Sequence, residues 1–120
     1  MESYKTKTKS RDTITISANV GREKIIKDQI VSCKEYVFGT QVYLKNNAHY
    51  LLQESIKELR TILNADHFYV LDKYTLINLR FVEAIFPRTI LMKNGEEYKV
   101  DPDCKKNLFK RLIKYFSVEI

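Results

Sequence analysis

The stretch HFYVLDKYTLINLRFVEAI at residues 67–85, followed by ILMKNGEEYKV at residues 90–100, decides the fold class. HFYVL and LRFVEAI are rich in aromatic and β-branched residues, which suit half-buried strands. In ILMKNGEEYKV, Asn94 and Gly95 tolerate the positive φ of a tight turn between two apolar runs, so residues 90–100 read as a hairpin. The second half of the chain is therefore built mainly of strands.

Toward the N-terminus the same reading holds. From Thr13 to Ser17, Ile14 and Ile16 alternate with hydroxyl residues, the period-two pattern of a strand with one buried face. Gly21 permits a turn before EKIIK, and IVSC leads through Glu35 into YVFGTQVYL, where Gly39 would let the chain bend or bulge. Asn46 and Asn47 lie between QVYLK and AHYLL, so residues 41–52 read as another hairpin. Ser55 and Glu58 form an S-x-x-E capping box, and Ile56, Leu59, Ile62 and Leu63 follow at helical spacing up to Asn64. Asp101 followed by Pro102 marks a second helix start. Its apolar residues are Leu108, Phe109, Leu112, Ile113 and Phe116, and Lys105, Lys106, Lys110, Arg111 and Lys114 line the remainder.

A chain of 120 residues, 44% apolar, supports one ordinary core. Residues 1–12 alternate Lys with Ser and Thr and read as a flexible basic lead-in, with residues 13–120 as the single domain. No apolar run is long enough to span a bilayer, and the opening MESYKTKTKSRD has no signal-peptide core, so a cytoplasmic setting is expected. The net charge of +6 sits at the two ends: residues 1–11 and 102–120 each carry +3, while 12–101 balance with twelve basic and twelve acidic side chains. A phosphate footprint would lie at those ends, and solvated tails are the plainer alternative.

Enzymatic chemistry finds little support. His49 and His67 fall in no metal-binding spacing, and Cys33 and Cys104 form no C-x-x-C pair and read as packing residues. No glycine-rich loop follows a strand, and no 20–50-residue period repeats. No cofactor is expected. Tyr36, Phe38, Tyr43, Tyr50, Tyr69 and Tyr74 read as cross-strand packing rather than as base-stacking platforms.

The order of elements, with several local patterns, resembles the LytTR-type DNA-binding domain over about residues 13–114. Ile30 and Cys33 sit where that family has its D-I-x-Y-I-E strand, SIKELRTIL is similar to its L-x-E-L-x-x-x-L helix, and MKNGEEYKV to its L-x-N-G-x-x-x-x-V hairpin. The signature F-x-R-x-H-[RK]-S-[YF]-[IVL]-[VI]-N meets FYVLDKYTLIN at 68–78, with Phe68, Lys73, Leu76, Ile77 and Asn78 matching. Val70, Asp72, Tyr74 and Thr75 depart from it, as do Ser32 and Lys34 in the early strand and the run Val100, Asp101, Pro102, Asp103 after the late one.

The resemblance implies a mainly β fold: an elongated arrangement of small antiparallel sheets with a short mid-chain helix and a C-terminal helix. It further implies sequence-specific duplex DNA binding by a transcriptional regulator, two copies on repeated half-sites, and the setting of an upstream receiver domain or sensor kinase pathway. Family members read DNA from three places, here residues 38–41, Lys73 and residues 101–105. The expected contacts are accordingly Gly39, Thr40, Gln41, Lys73, Lys105 and Lys106. Lysine can donate to guanine or phosphate, and Thr and Gln can bond base edges or backbone oxygens. Asp72, Asp101 and Asp103 would weaken phosphate attraction, although Asp101 serves as a helix cap and Asp72 can pair with a basic neighbour. Those departures support a rival reading, a protein-interaction or regulatory module of the same fold without base readout. Contact of the last helix with an anionic membrane is a weaker third idea.

Overall fold

The computed structural model describes residues 13–18 and 21–117, and the expected lead-in at 1–12 lies outside them. Ten strands and two α-helices run in the order β1 (Thr13–Ala18), β2 (Gly21–Ile26), β3 (Ile30–Tyr36), β4 (Gly39–Leu44), β5 (His49–Leu52), α1 (Ile56–Leu63), β6 (Phe68–Asp72), β7 (Thr75–Asn78), β8 (Val82–Ile85), β9 (Thr89–Met92), β10 (Glu97–Lys99) and α2 (Pro102–Ser117). They form an antiparallel seven-stranded sheet, ordered β2-β1-β5-β4-β3-β7-β6, and a three-stranded sheet, ordered β10-β9-β8.

Alternation along the strands sorts two cores onto opposite faces of the larger sheet. Ile30, Cys33, Val42, Leu44, Leu52 and Leu76 face α1, which buries Ile56, Leu59 and Leu63 against them. Val31, Leu71 and Ile77 face the other way, toward Ile90, Met92 and Tyr98 of the small sheet and Leu108 and Leu112 of α2. Neighbouring residues such as Ile30 and Val31, or Leu76 and Ile77, thus serve different cores, as the pleat requires. The hydroxyls of Ser32 and Tyr98 meet at 2.6 Å and tie the two sheets together.

α1 begins as its sequence predicts. Ser55 Oγ accepts from the Glu58 N–H at 3.1 Å, and Glu58 Oε1 accepts from the Ser55 N–H at 2.9 Å. A further cap comes from β3, where Glu35 Oε1 accepts from the Ile56 N–H at 2.9 Å. Asp101 Oδ1 accepts from the Asp103 N–H at 3.0 Å and caps α2. The apolar stripes are narrower than expected. Ile62 is exposed on α1, and Phe109 and Ile113 are exposed on α2, where each lies 100° round the helix from the buried Leu108 and Leu112. The side chain of Phe116 lies outside the described ones.

Two local expectations need correction, and TLIN, given no element above, gains one. Gly39 does not bulge a continuous strand: Tyr36 pairs with Gly39, and the chain reverses at Val37 and Phe38. TLIN is a strand of its own, reversing on β6 at residues 73 and 74. LRFVEAI does not run extended throughout, because Leu79–Phe81 form a 310 turn before β8. Asn78 causes that turn. Its Oδ1 accepts from the Arg80 N–H at 2.9 Å, and the Leu79 N–H is taken by the His67 carbonyl at 2.7 Å.

The order strand, strand, 310 turn, three strands, helix occurs twice, ending in α1 and then in α2. The recurrence reaches individual hydrogen bonds. The last carbonyl of each 310 turn, Gln29 and Phe81, accepts from Lys45 (2.8 Å) and Lys93 (2.7 Å), the first residue after β4 and β9. Both hairpins then turn alike, with Leu44 N–H to Ala48 O and Met92 N–H to Glu96 O, and a left-handed residue at Asn47 (φ 68°) or Gly95 (φ 94°). In the first copy the last three strands join the main sheet; in the second they separate to cover its face. Among the described residues no helix is long and apolar enough to cross a membrane.

Candidate nucleic-acid interface

β3 lies between β4 and β7, so the β3–β4 and β6–β7 reversals emerge at one end of the large sheet. They are joined there: the Glu35 N–H donates to the Tyr74 carbonyl at 2.8 Å, and Lys34 Nζ donates to Thr75 Oγ1 at 3.2 Å. β10 approaches the same end. Lys34, Tyr36, Asp72 and Thr75 line a hollow of about 260 Å³ with Glu96, Glu97, Tyr98 and Lys99. Asp101 follows Lys99 by two residues, a span of at most about 7 Å, so the start of α2 adjoins this end. The three segments singled out in sequence are therefore neighbours.

The residues within them have different roles. Gly39 (φ 149°) runs so close to β5 that a Cβ there would sit 2.7 Å from the Leu52 carbonyl oxygen. Thr40 is 1% exposed, and its hydroxyl donates to the Glu54 carbonyl at 2.6 Å. It faces α1, so the expectation that Thr40 offers its hydroxyl to DNA is corrected by the alternation of β4. Gln41 pairs with Lys34 on the opposite face and is half-buried. Lys73 is exposed in the β6–β7 turn, its Nζ 5.7 Å from the centre of the Tyr74 ring. Lys105 lies in the first turns of α2 with Nζ 6.0 Å from the Phe109 ring, and Lys106 beside it is exposed.

Two of the three carboxylates that would oppose DNA, Asp72 and Asp101, have local work. Asp72 Oδ1 accepts from the Tyr74 N–H at 2.8 Å, holding the turn that presents Lys73. It does this in place of the expected pairing with a basic side chain, because the turn leaves that N–H without a strand partner. Among the described residues none of Lys34, Lys73, Lys99 or Lys105 forms an ion pair. Arg111, by contrast, is committed to packing: its Nη2 donates to the Asp66 carbonyl at 2.9 Å and its guanidinium lies over Tyr69.

Sequence reading missed the most prominent surface feature. Tyr36, Phe38 and Tyr74, expected to pack between strands, are exposed, because they occupy or flank reversals rather than strand interiors. Val37 is fully exposed between Tyr36 and Phe38, whose rings stack with centroids 5.3 Å apart and planes 2° apart. No turn motif announced this tip beyond Gly39. Lys99 was also passed over, since only the fold of β10 across the sheet end brings it near Lys34.

Cys33 is fully buried and its thiol is pushed up to about 12 by desolvation, which keeps it protonated. Among the described residues no three metal-ligating side chains cluster.

A model of the LytTr DNA-binding domain family matches residues 22–113. None of the curated proteins matches the chain by sequence. Among solved structures, the fold is similar to that of the LytTr DNA-binding domain from a Bacillus cereus protein described as a methyl-accepting/DNA response regulator. The TM-score is 0.71 at 19% identity, covering 84% of this chain and 96% of that one. The family match takes in β3 to β10, both 310 turns, α1 and most of α2, so it includes every segment of the sheet end described above. The chain belongs to the LytTr DNA-binding domain family.

Proposed function

We propose that this domain binds duplex DNA sequence-specifically as part of a transcriptional regulator, with the β3–β4 tip and the Lys73 turn directed into the major groove. Gln41 and the backbone around Gly39 flank the groove, and Lys105 and Lys106 touch phosphate. The observation that carries this reading is the convergence, at one sheet end, of an exposed hairpin tip with lysines that form no ion pair among the described residues. Such cations release counterions when they meet phosphate, while the projecting turn can reach base edges. Two copies on repeated half-sites would compensate for the small footprint of one domain. A cytoplasmic regulator answering to a receiver domain or sensor kinase pathway is the corresponding setting.

Lys73→Ala is expected to weaken specific binding by roughly 1–3 kcal/mol if the lysine reaches a base. Replacing both Lys105 and Lys106 with alanine should act differently, lowering the slope of log affinity against log salt by roughly 2 while sparing sequence preference. Fluorescence anisotropy across a salt series measures both, and unchanged affinity and slope in all the variants would remove these lysines from the interface.

Glu96, Glu97 and Asp72 line the same hollow as Lys34 and Lys99, and that mixed charge favours a second reading, a module that docks a protein instead of bases. It predicts duplex binding no stronger than that of any protein of similar charge.

A further inference from the structure

The β3–β4 tip spends exposed apolar surface where a polar turn would cost nothing. Val37 is fully exposed and Phe38 is 71% exposed, yet the segment is held firmly. Tyr36 stacks flat against Phe38, the Glu35 N–H is bonded to the Tyr74 carbonyl, the Glu35 carboxylate caps α1, and Gly39 is packed under the Leu52 carbonyl. A rigid, preorganised apolar tip is suited to recognition, because little conformational entropy is lost when it is covered.

Building on the DNA-binding reading above, we propose that Val37 and Phe38 are specificity-determining residues that contact thymine C5-methyl groups in the major groove. Base edges there present hydrogen-bond donors, acceptors and one apolar group, the thymine methyl. Side chains without polar atoms cannot match a donor or acceptor, so the methyl is the feature they can read. The groove is about 12 Å wide and admits a two-stranded β-ribbon. Lys73 stands exposed in the adjoining turn without an ion pair among the described residues, which suits a polyanion. The Tyr36 ring stacks on the Phe38 ring, with centroids 5.3 Å apart, and restrains its orientation.

The test uses a duplex enriched by the full chain from a random pool, with each thymine replaced in turn by deoxyuridine, which removes only the methyl. Anisotropy titrations should find one or two positions where the replacement weakens binding about fourfold, the effect of losing one buried methyl-sized group. In a Val37→Ser, Phe38→Ser double variant the same replacements should no longer matter. Both positions are exposed, so the variant should keep the parent's thermal midpoint, which a melting curve checks. Sequence-specific binding that tolerates uracil at every position would overturn the methyl contact and leave the DNA-binding reading standing. Failure of any duplex to enrich would overturn that reading and this proposal with it.

Discussion

Replacing Asn78 with leucine is expected to destabilise the domain by about 3 kcal/mol, from one buried and one part-buried backbone group left unpaired together with crowding by the larger side chain. Asn78 is fully buried at the end of β7. Its Nδ2 donates to the Ile30 carbonyl at 2.8 Å, and its Oδ1 accepts from the Arg80 N–H at 2.9 Å. One side chain thus ties the start of β3 to the 310 turn that redirects the chain toward the small sheet. Leucine keeps the branch at Cγ but is larger than asparagine, so no cavity is left and crowding adds to the loss of hydrogen bonding at this buried position. The thermal midpoint should fall by roughly 10 °C. At a temperature where the variant is still folded, its affinity for DNA should equal the parent's, because Asn78 presents no atom to a ligand. Unchanged stability with lost DNA binding would reverse that assignment.

Gly39→Ala is expected to cost about 2–4 kcal/mol, from backbone strain together with a clash. At φ 149° an L-residue is strained, and the new Cβ would lie 2.7 Å from the Leu52 carbonyl oxygen and 3.2 Å from Leu51 Cδ1. The nearer atom is backbone in the adjoining β5, so the strand pair must shift to relieve the contact. Gly95→Ala is the internal control. Its φ of 94° is also unfavourable, but nothing lies within 4 Å of the added Cβ. That change should therefore cost only about 1 kcal/mol of backbone strain. Urea denaturation of the two variants compares them directly; equal losses would mean that close approach of β5 contributes nothing at Gly39.

Gly39 also illustrates how far the sequence was legible. Its presence near a DNA-reading segment was apparent from the family resemblance, but its role is to let the chain pass under β5, and that depends on a strand ten residues away. Features set by contiguous residues were readable: the Ser55 and Glu58 capping box, the Asp101 cap, and the turn at Asn94 and Gly95. The turn at Lys73 and Tyr74 escaped detection because it uses no glycine or proline, only the Asp72 carboxylate bonded to the Tyr74 N–H. LRFVEAI looked uniformly extended because the Asn78 side chain that tightens its first three residues stands just outside the run.

The proposed site was legible in outline only. Lys73 and Lys105 are proposed because they stand at positions that the resemblance marks, and Lys106 because it adjoins them. Phe38 fell within a segment that the resemblance marks, but its exposure and that of Val37 were not foreseen, since apolar and aromatic residues are ordinarily assigned to the interior and the reversal carries no turn motif. Thr40 was overvalued for a complementary reason: on an alternating strand next to a tip, one residue in two points inward, and register decides which.

Enrichment of bound duplexes from a random DNA pool at near-physiological salt tests the central claim most directly. The account predicts recovery of a defined motif, repeated at a fixed spacing, whose enrichment falls when Lys73 is replaced by alanine. Recovery of unselected, salt-sensitive DNA alone would contradict it and would assign the sheet end to a protein partner.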